Sequence, residues 1–188
     1  YFMYSLKDMM LGAEFDLKYG RWLRSLVFEY IYTKYQSGPY NHDHTQNIGD
    51  HIAGLDDYYN HSIYTGWQHW GQVIGNPLYR SPIYNKDGTI EVRNNRFYAF
   101  HLGMEGSPTE RFDYRVLTTY QKGWGTYGSP FTKAYKNLSF LVEAKYKFNH
   151  DWTVKGGYAM DFGSEKMYGH NAGFQLTMTK SGLLTKKK

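Results

Sequence analysis

Seven stretches of this chain alternate apolar and polar residues with a period of two, and no other feature constrains the fold as tightly. Successive side chains of a β-strand point to opposite faces, so sustained alternation marks a strand with one apolar and one polar side. From Leu11 the odd positions read Leu11, Ala13, Phe15, Leu17 and Tyr19, against Gly12, Glu14, Asp16 and Lys18. Leu26, Phe28, Tyr30 and Tyr32 share one face of a second strand, whose other face is mixed. The pattern resumes at Tyr98, Phe100, Leu102 and Met104, and again at Phe112, Tyr114, Val116, Thr118 and Tyr120. It returns in Leu138 through Phe148, in Trp152 through Phe162, and in Ala172, Phe174, Leu176 and Met178.

A soluble β-sandwich also alternates, so composition and loop lengths have to separate the two. Aromatic residues make up 19% of the chain and glycine numbers 20, yet the mean hydropathy is −0.68. Aromatics and glycine in an otherwise polar chain suit a transmembrane barrel, which needs interfacial girdles and a polar lumen but little net hydropathy. No apolar run approaches the ~18–20 residues of a spanning helix, which excludes a helical membrane protein. Cysteine is absent, which fits an oxidising envelope compartment and is also common elsewhere. The net charge of +5 is spread along segments in which acids and bases intermix, which argues against a nucleic-acid interface.

Charges on the polar faces come in mixed-sign groups (Glu14/Asp16/Lys18, Asp113/Arg115, Glu143/Lys145/Lys147), as a hydrated lumen would require. Tyr19, Trp22, Phe112, Tyr120, Phe148, Trp152 and Phe162 stand near strand ends, where girdles belong. Connections are expected to alternate strictly between short and long. Tyr19-Gly20-Arg21, Gly106 to Glu110 and Asn149-His150-Asp151 read as tight turns. Between them fall long connections at 36–95, 123–137 and about Gly163 to Asn171. Short periplasmic turns with long extracellular loops are the outer-membrane barrel rule. The expected fold is therefore all-β: an antiparallel transmembrane β-barrel segment spanning 1–188, with one long extracellular loop at about 36–95. Seven strands is an odd number, which leaves residues 1–7 or preceding sequence to supply the remainder. Tyr1 opens the chain in apparently mid-strand sequence with no leader, so a segment of a longer exported protein is expected. The terminal Lys186-Lys187-Lys188 reads as a solvated tail.

The long loop lacks the Ser/Glu/Lys bias of disorder and reads as a compact excursion. Within it lie Tyr64-Thr65-Gly66-Trp67-Gln68-His69-Trp70-Gly71, then Ile74-Gly75-Asn76-Pro77-Leu78, then Ser81-Pro82-Ile83-Tyr84-Asn85-Lys86-Asp87-Gly88. These, with Tyr35 to Pro39, Asp56 to Asn60, Arg115-Val116-Leu117 and Trp124 to Tyr127, resemble Wzi-type capsule-assembly proteins of Bacteroides-like bacteria. The resemblance runs from about residue 20 to 180. It implies an outer-membrane barrel of about eighteen strands, of which this chain would be the C-terminal part. It also implies a lectin-like role in anchoring capsular polysaccharide. The chain departs from common barrel practice at its end, where Phe174 is followed by Leu183-Leu184 and lysines rather than a terminal aromatic.

Aromatic rings stack on the apolar faces of sugars while amides, carboxylates and imidazoles satisfy hydroxyls. The candidate carbohydrate-binding residues are Tyr58, Tyr59, Trp67, His69, Trp70, Asn76, Arg80 and Asn85, with Arg80 able to grip an acidic sugar through two hydrogen bonds. Packing of Trp67 and Trp70 into a small loop core is the competing reading. His42-Asp43-His44 with Asp50 and His51 could be a metal site but reads better as a polar loop. No serine sits in a distinctive setting, and His101 near Glu105 reads as a lumen-lining group rather than a catalytic one. The expected function is a non-enzymatic, cofactor-free outer-membrane protein that binds capsular or other surface polysaccharide. Its further expected partner is outer-membrane lipid, and nucleic acid is not expected. A porin, and behind it an envelope lipid- or glycan-processing enzyme, are the alternatives.

Overall fold

The computed structural model describes residues 7–36, 57–61 and 66–182. Its frame is a seven-stranded antiparallel sheet in which every strand pairs with its neighbour in sequence order. The strands are β1 (Met9–Asp16), β2 (Ser25–Tyr32), β5 (Phe97–Thr109), β6 (Phe112–Gly125), β7 (Pro130–Lys147), β8 (Trp152–Gly163) and β9 (His170–Lys180). Between β2 and β5 the chain makes a two-stranded hairpin, β3 (Gln68–His69) with β4 (Gln72–Val73), and a short 3-10 turn, Pro82–Tyr84. The fold is all-β, and among the described residues β1 and β9 are open edges rather than partners in a closed barrel.

The registers align the alternation of all seven strands. Phe15, Leu26, Met104, Val116, Val142, Tyr158 and Phe174 form one cross-strand row. Leu11, Tyr30, Phe100, Tyr120, Leu138 and Phe162 form another. A slip of one residue anywhere would turn a strand's apolar set to the opposite side. One face is thus apolar from edge to edge, and its side chains run from half-buried at Leu26, Tyr30, Met104 and Val116 to 70% exposed at Phe174. Strands ~4.8 Å apart and about eight residues long at ~3.3 Å each make this face roughly 750 Å² in plan. That exceeds the apolar patch an ordinary soluble monomer leaves in water.

The short-turn expectations hold at three connections, 17–24, 110–111 and 148–151. The connection expected at 123–137 does not. β6 and β7 remain paired through Lys122↔Lys136 and Gly123↔Tyr135 to Gly125↔Pro130, so the turn is only 126–129. The strands were invisible there because Lys122 and Lys136 interrupt the apolar set beyond Tyr120 and Leu138, and pairing without sustained alternation leaves no period-two signal. Strict alternation of short and long connections is therefore corrected: two of the three connections at the long-loop end are short, and only 33–96 is long. β5 also runs past Gly106 to Thr109, with a register irregularity between them.

Candidate functional site

The long connection folds against the polar face of the sheet. Its core is Tyr79, Val92, Phe97 and Ala99, packed against Ile31, Tyr58, Tyr59, Val73 and Leu78. Phe97 and Ala99 are odd positions of β5, so the loop core is rooted on the polar side at one end of the strands. Tyr59 stacks on Tyr79 at 4.2 Å between ring centres, and Tyr79 meets Phe97 edge-on at 5.0 Å. Burial first, then neighbouring tyrosines, raise the Tyr79 phenol above its ordinary range, so it stays neutral.

Amide side chains hold the loop backbone in place. Asn60 donates to the Val92 carbonyl at 2.9 Å and accepts from its N–H at 2.8 Å, which reproduces a strand pairing. The buried Asn95 donates to the Tyr58 carbonyl and to Asp57, while its own carbonyl accepts from Thr33 and Gln36. Gln121 of β6 reaches the Leu78 carbonyl, and the Tyr168 hydroxyl reaches that of Pro77. A buried backbone away from regular pairing needs such partners.

The eight candidate residues fall into two groups. Tyr58, Tyr59, Asn76 and Asn85 serve the loop itself. Tyr58 donates its hydroxyl to Asp8 and Tyr59 to the Ile74 carbonyl, and the Asn76 side chain caps the Leu78 N–H. Asn85 is buried, and donates to the Thr89 carbonyl at 2.9 Å and the Glu91 carbonyl at 2.8 Å. Trp67, His69 and Trp70 point outward. The β3–β4 hairpin turns through Trp70 and Gly71, both left-handed at φ 51° and 74°, the geometry of a two-residue primed turn. Such a φ is unfavourable for a bulky residue, of order 1–3 kcal/mol. It leaves Trp70 87% exposed, with His69 edge-on at 6.3 Å and Trp67 73% exposed nearby in the chain.

Arg80 stands between the groups. It donates to Asn85 at 3.1 Å and to the Tyr84 carbonyl at 2.7 Å, and it lines a cleft of about 210 Å³ with Tyr84, Lys86, Arg93, Phe131 and Glu165. Lys86 faces Glu165 at 3.6 Å and Arg93 pairs with Asp87, whereas no carboxylate among the described residues pairs with Arg80. Burial lowers its pKa from the usual value, although guanidinium remains charged at any working pH.

Below the loop, the polar face carries ion pairs across strands rather than along them. Glu143 of β7 receives Arg115 from β6 at 2.6 Å and Lys155 from β8 at 2.5 Å. Asp113 faces Lys145 and Lys147 at 3.5 and 3.6 Å. His101 is bound to the Thr119 hydroxyl at 2.7 Å. Among the described residues no three His, Cys, Asp or Glu side chains gather to hold a metal, and His42, Asp43, His44, Asp50 and His51 lie outside those residues. The loop-internal roles of Asn60, Asn95 and Gln121 carried no sequence signal, because each depends on a partner between 32 and 43 positions away.

Compared with family models, curated proteins and solved structures, the chain matches none.

Proposed function

We propose that this chain is a stretch of wall from an outer-membrane β-barrel of a Gram-negative bacterium, whose long loop binds capsular or other surface polysaccharide. Support for the membrane part comes from the apolar face: seven strands wide, in register, and opposite a face of paired charges. In lipid every backbone group must be paired, so the open edges of β1 and β9 call for further strands. The sequence resemblance to Wzi-type capsule-assembly proteins points the same way, and would make the complete barrel about eighteen-stranded.

The observation that carries the sugar-binding part is the pair Trp67 and Trp70. The loop builds its core from Tyr59, Tyr79, Val92 and Phe97 and leaves both indoles largely in solvent. Exposed indoles on a stapled hairpin offer flat apolar surfaces at little cost in conformational entropy, the arrangement that suits pyranose faces. Trp67→Ala and Trp70→Ala are expected to weaken binding of purified capsular polysaccharide by about tenfold or more each, as truncation of a central aromatic anchor does. Thermal unfolding should be unchanged. Loss of folding in both variants would instead make the indoles packing residues, and unchanged binding in both would remove the lectin reading.

A channel is the second reading, because the Arg115–Glu143–Lys155 ladder would also suit a water-filled lumen. The loop core stands on that same face and would narrow any passage. Little ion conductance in planar bilayers is expected, and a large steady conductance would favour the channel.

A further inference from the structure

The apolar face ends, on the long-loop side, in cations that no acid among the described residues pairs with. Lys122 of β6 and Lys136 of β7 are direct register partners on that face, two residues beyond the row containing Tyr120 and Leu138. Lys34, just past β2, lies over the Trp124 ring at 4.3 Å, and Lys122 lies over the same ring at 5.4 Å. Tyr98 backs Trp124 at 5.7 Å. Among the described residues, none of these three lysines has a carboxylate partner. The opposite end differs: there Lys180, on the same face, has Asp151 at 3.9 Å.

Two like charges directly opposite each other across a strand pair destabilise it. A sequence that places Lys122 against Lys136, with Lys34 beside them and no ion-pair partner among the described residues, leaves three cations to be neutralised from outside. Depth says by what. Lys136 is six residues beyond Val142, and Lys122 six beyond Val116, about 20 Å along the strand at ~3.3 Å per residue. With strands tilted ~40°, that is about 15 Å above the middle of the apolar band, just beyond its edge. Headgroups lie at that level, and a phosphomonoester there would have hydrocarbon tails directly against the Tyr120 and Leu138 row.

Resting on the barrel reading above, we propose that Lys34, Lys122 and Lys136 form a shelf that holds the phosphate headgroup of a lipid in the leaflet facing the long loop. Trp124 positions the shelf, because its ring lies under two of the three ammonium groups and restricts where they sit. The lipid neutralises the Lys122–Lys136 repulsion and anchors the wall at a fixed height.

The test is lipid retention by the folded protein in neutral detergent micelles doped with either phosphatidic acid or phosphatidylcholine, read by native mass spectrometry. Phosphatidic acid should be retained in preference. The triple variant K34Q/K122Q/K136Q should bind it roughly 100-fold more weakly, each lysine contributing about a factor of five near an anionic surface. Lys18→Gln, at the short-turn end, should not differ from the parent. Lys136→Gln alone removes the repulsion, so it should resist heat in undoped micelles at least as well as the parent while retaining about fivefold less phosphatidic acid. Inorganic phosphate should not displace the lipid. Equal retention of the two lipids, or unaltered retention by the triple variant, overturns the shelf. So does displacement by soluble polygalacturonate that the same three substitutions abolish, since the lysines would then be a glycan site. A protein that stays folded and monodisperse in buffer without detergent defeats the barrel reading and the shelf with it, whereas a detergent-folded protein without lipid preference defeats the shelf alone.

Discussion

Placing one arginine on either face of the sheet separates a membrane wall from a water-exposed sheet. Val142 lies in β7 midway between Tyr146 and Leu138, opposite Val116 of β6 and Tyr158 of β8. Each flanking residue is four positions away, about 13 Å along the strand. With a ~40° tilt that is about 10 Å of depth on either side, which puts Val142 near the middle of an apolar band ~25 Å tall. Arginine on a barrel's lipid face at that depth costs about 2–4 kcal/mol. At ~1.36 kcal/mol per decade this is roughly a 30- to 900-fold loss in the folding constant. The matched control is Gln175→Arg on the polar face of β9, whose cross-strand partner is Gly157. That side chain is exposed, and a change within about 0.5 kcal/mol is expected. The assay is reversible unfolding by denaturant in phosphatidylcholine vesicles, followed by tryptophan emission and heat-modifiable mobility. If Val142→Arg costs no more than Gln175→Arg, the apolar face does not meet lipid and the membrane reading is wrong.

Other outcomes follow from the loop. Asn85→Ala should destabilise the 80–93 segment by about 1–3 kcal/mol, because the Thr89 and Glu91 carbonyls lose their donor in a buried setting; faster amide exchange there, with the sheet unaffected, would confirm it, and unchanged exchange would refute it. The Asp87 carboxyl is held down at about 2, chiefly by its hydrogen bond from Arg93 and then by the Thr89 N–H. Since that lies below the unfolded value of about 3.9, its contribution is complete above that pH and is lost as pH falls towards 2. A carbon-detected NMR titration of Asp87 should show the low midpoint, and Arg93→Gln should move it up towards the ordinary value. An ordinary midpoint in the parent would show that the pair does not persist in solution.

The division between what could be read from the chain and what could not follows the range of the forces involved. Strand identity and face were legible because a pleat repeats every two residues. Whether a side chain points to the apolar or polar side is then settled by its neighbours in sequence, from Leu11 to Met178. The same local rule gave no warning of β6–β7 pairing at Lys122↔Lys136, where both sides are polar and only the partner strand holds the conformation. Nor could it sort the loop. Tyr59 and Trp70 are both loop aromatics, yet one is stacked on Tyr79 and the other is turned out by a left-handed hairpin corner. Asn76 and Asn85 read as sugar-binding amides but bind the loop's own backbone, because amides pair with whichever carbonyl or N–H the fold brings to them. By itself the sequence determined a set of two-faced strands and an aromatic loop. Tertiary structure alone decided which aromatics remain exposed, because burial depends on contacts between residues far apart in the chain. It also set two lysines opposite each other at the rim, because register is a property of strand pairs and not of either strand.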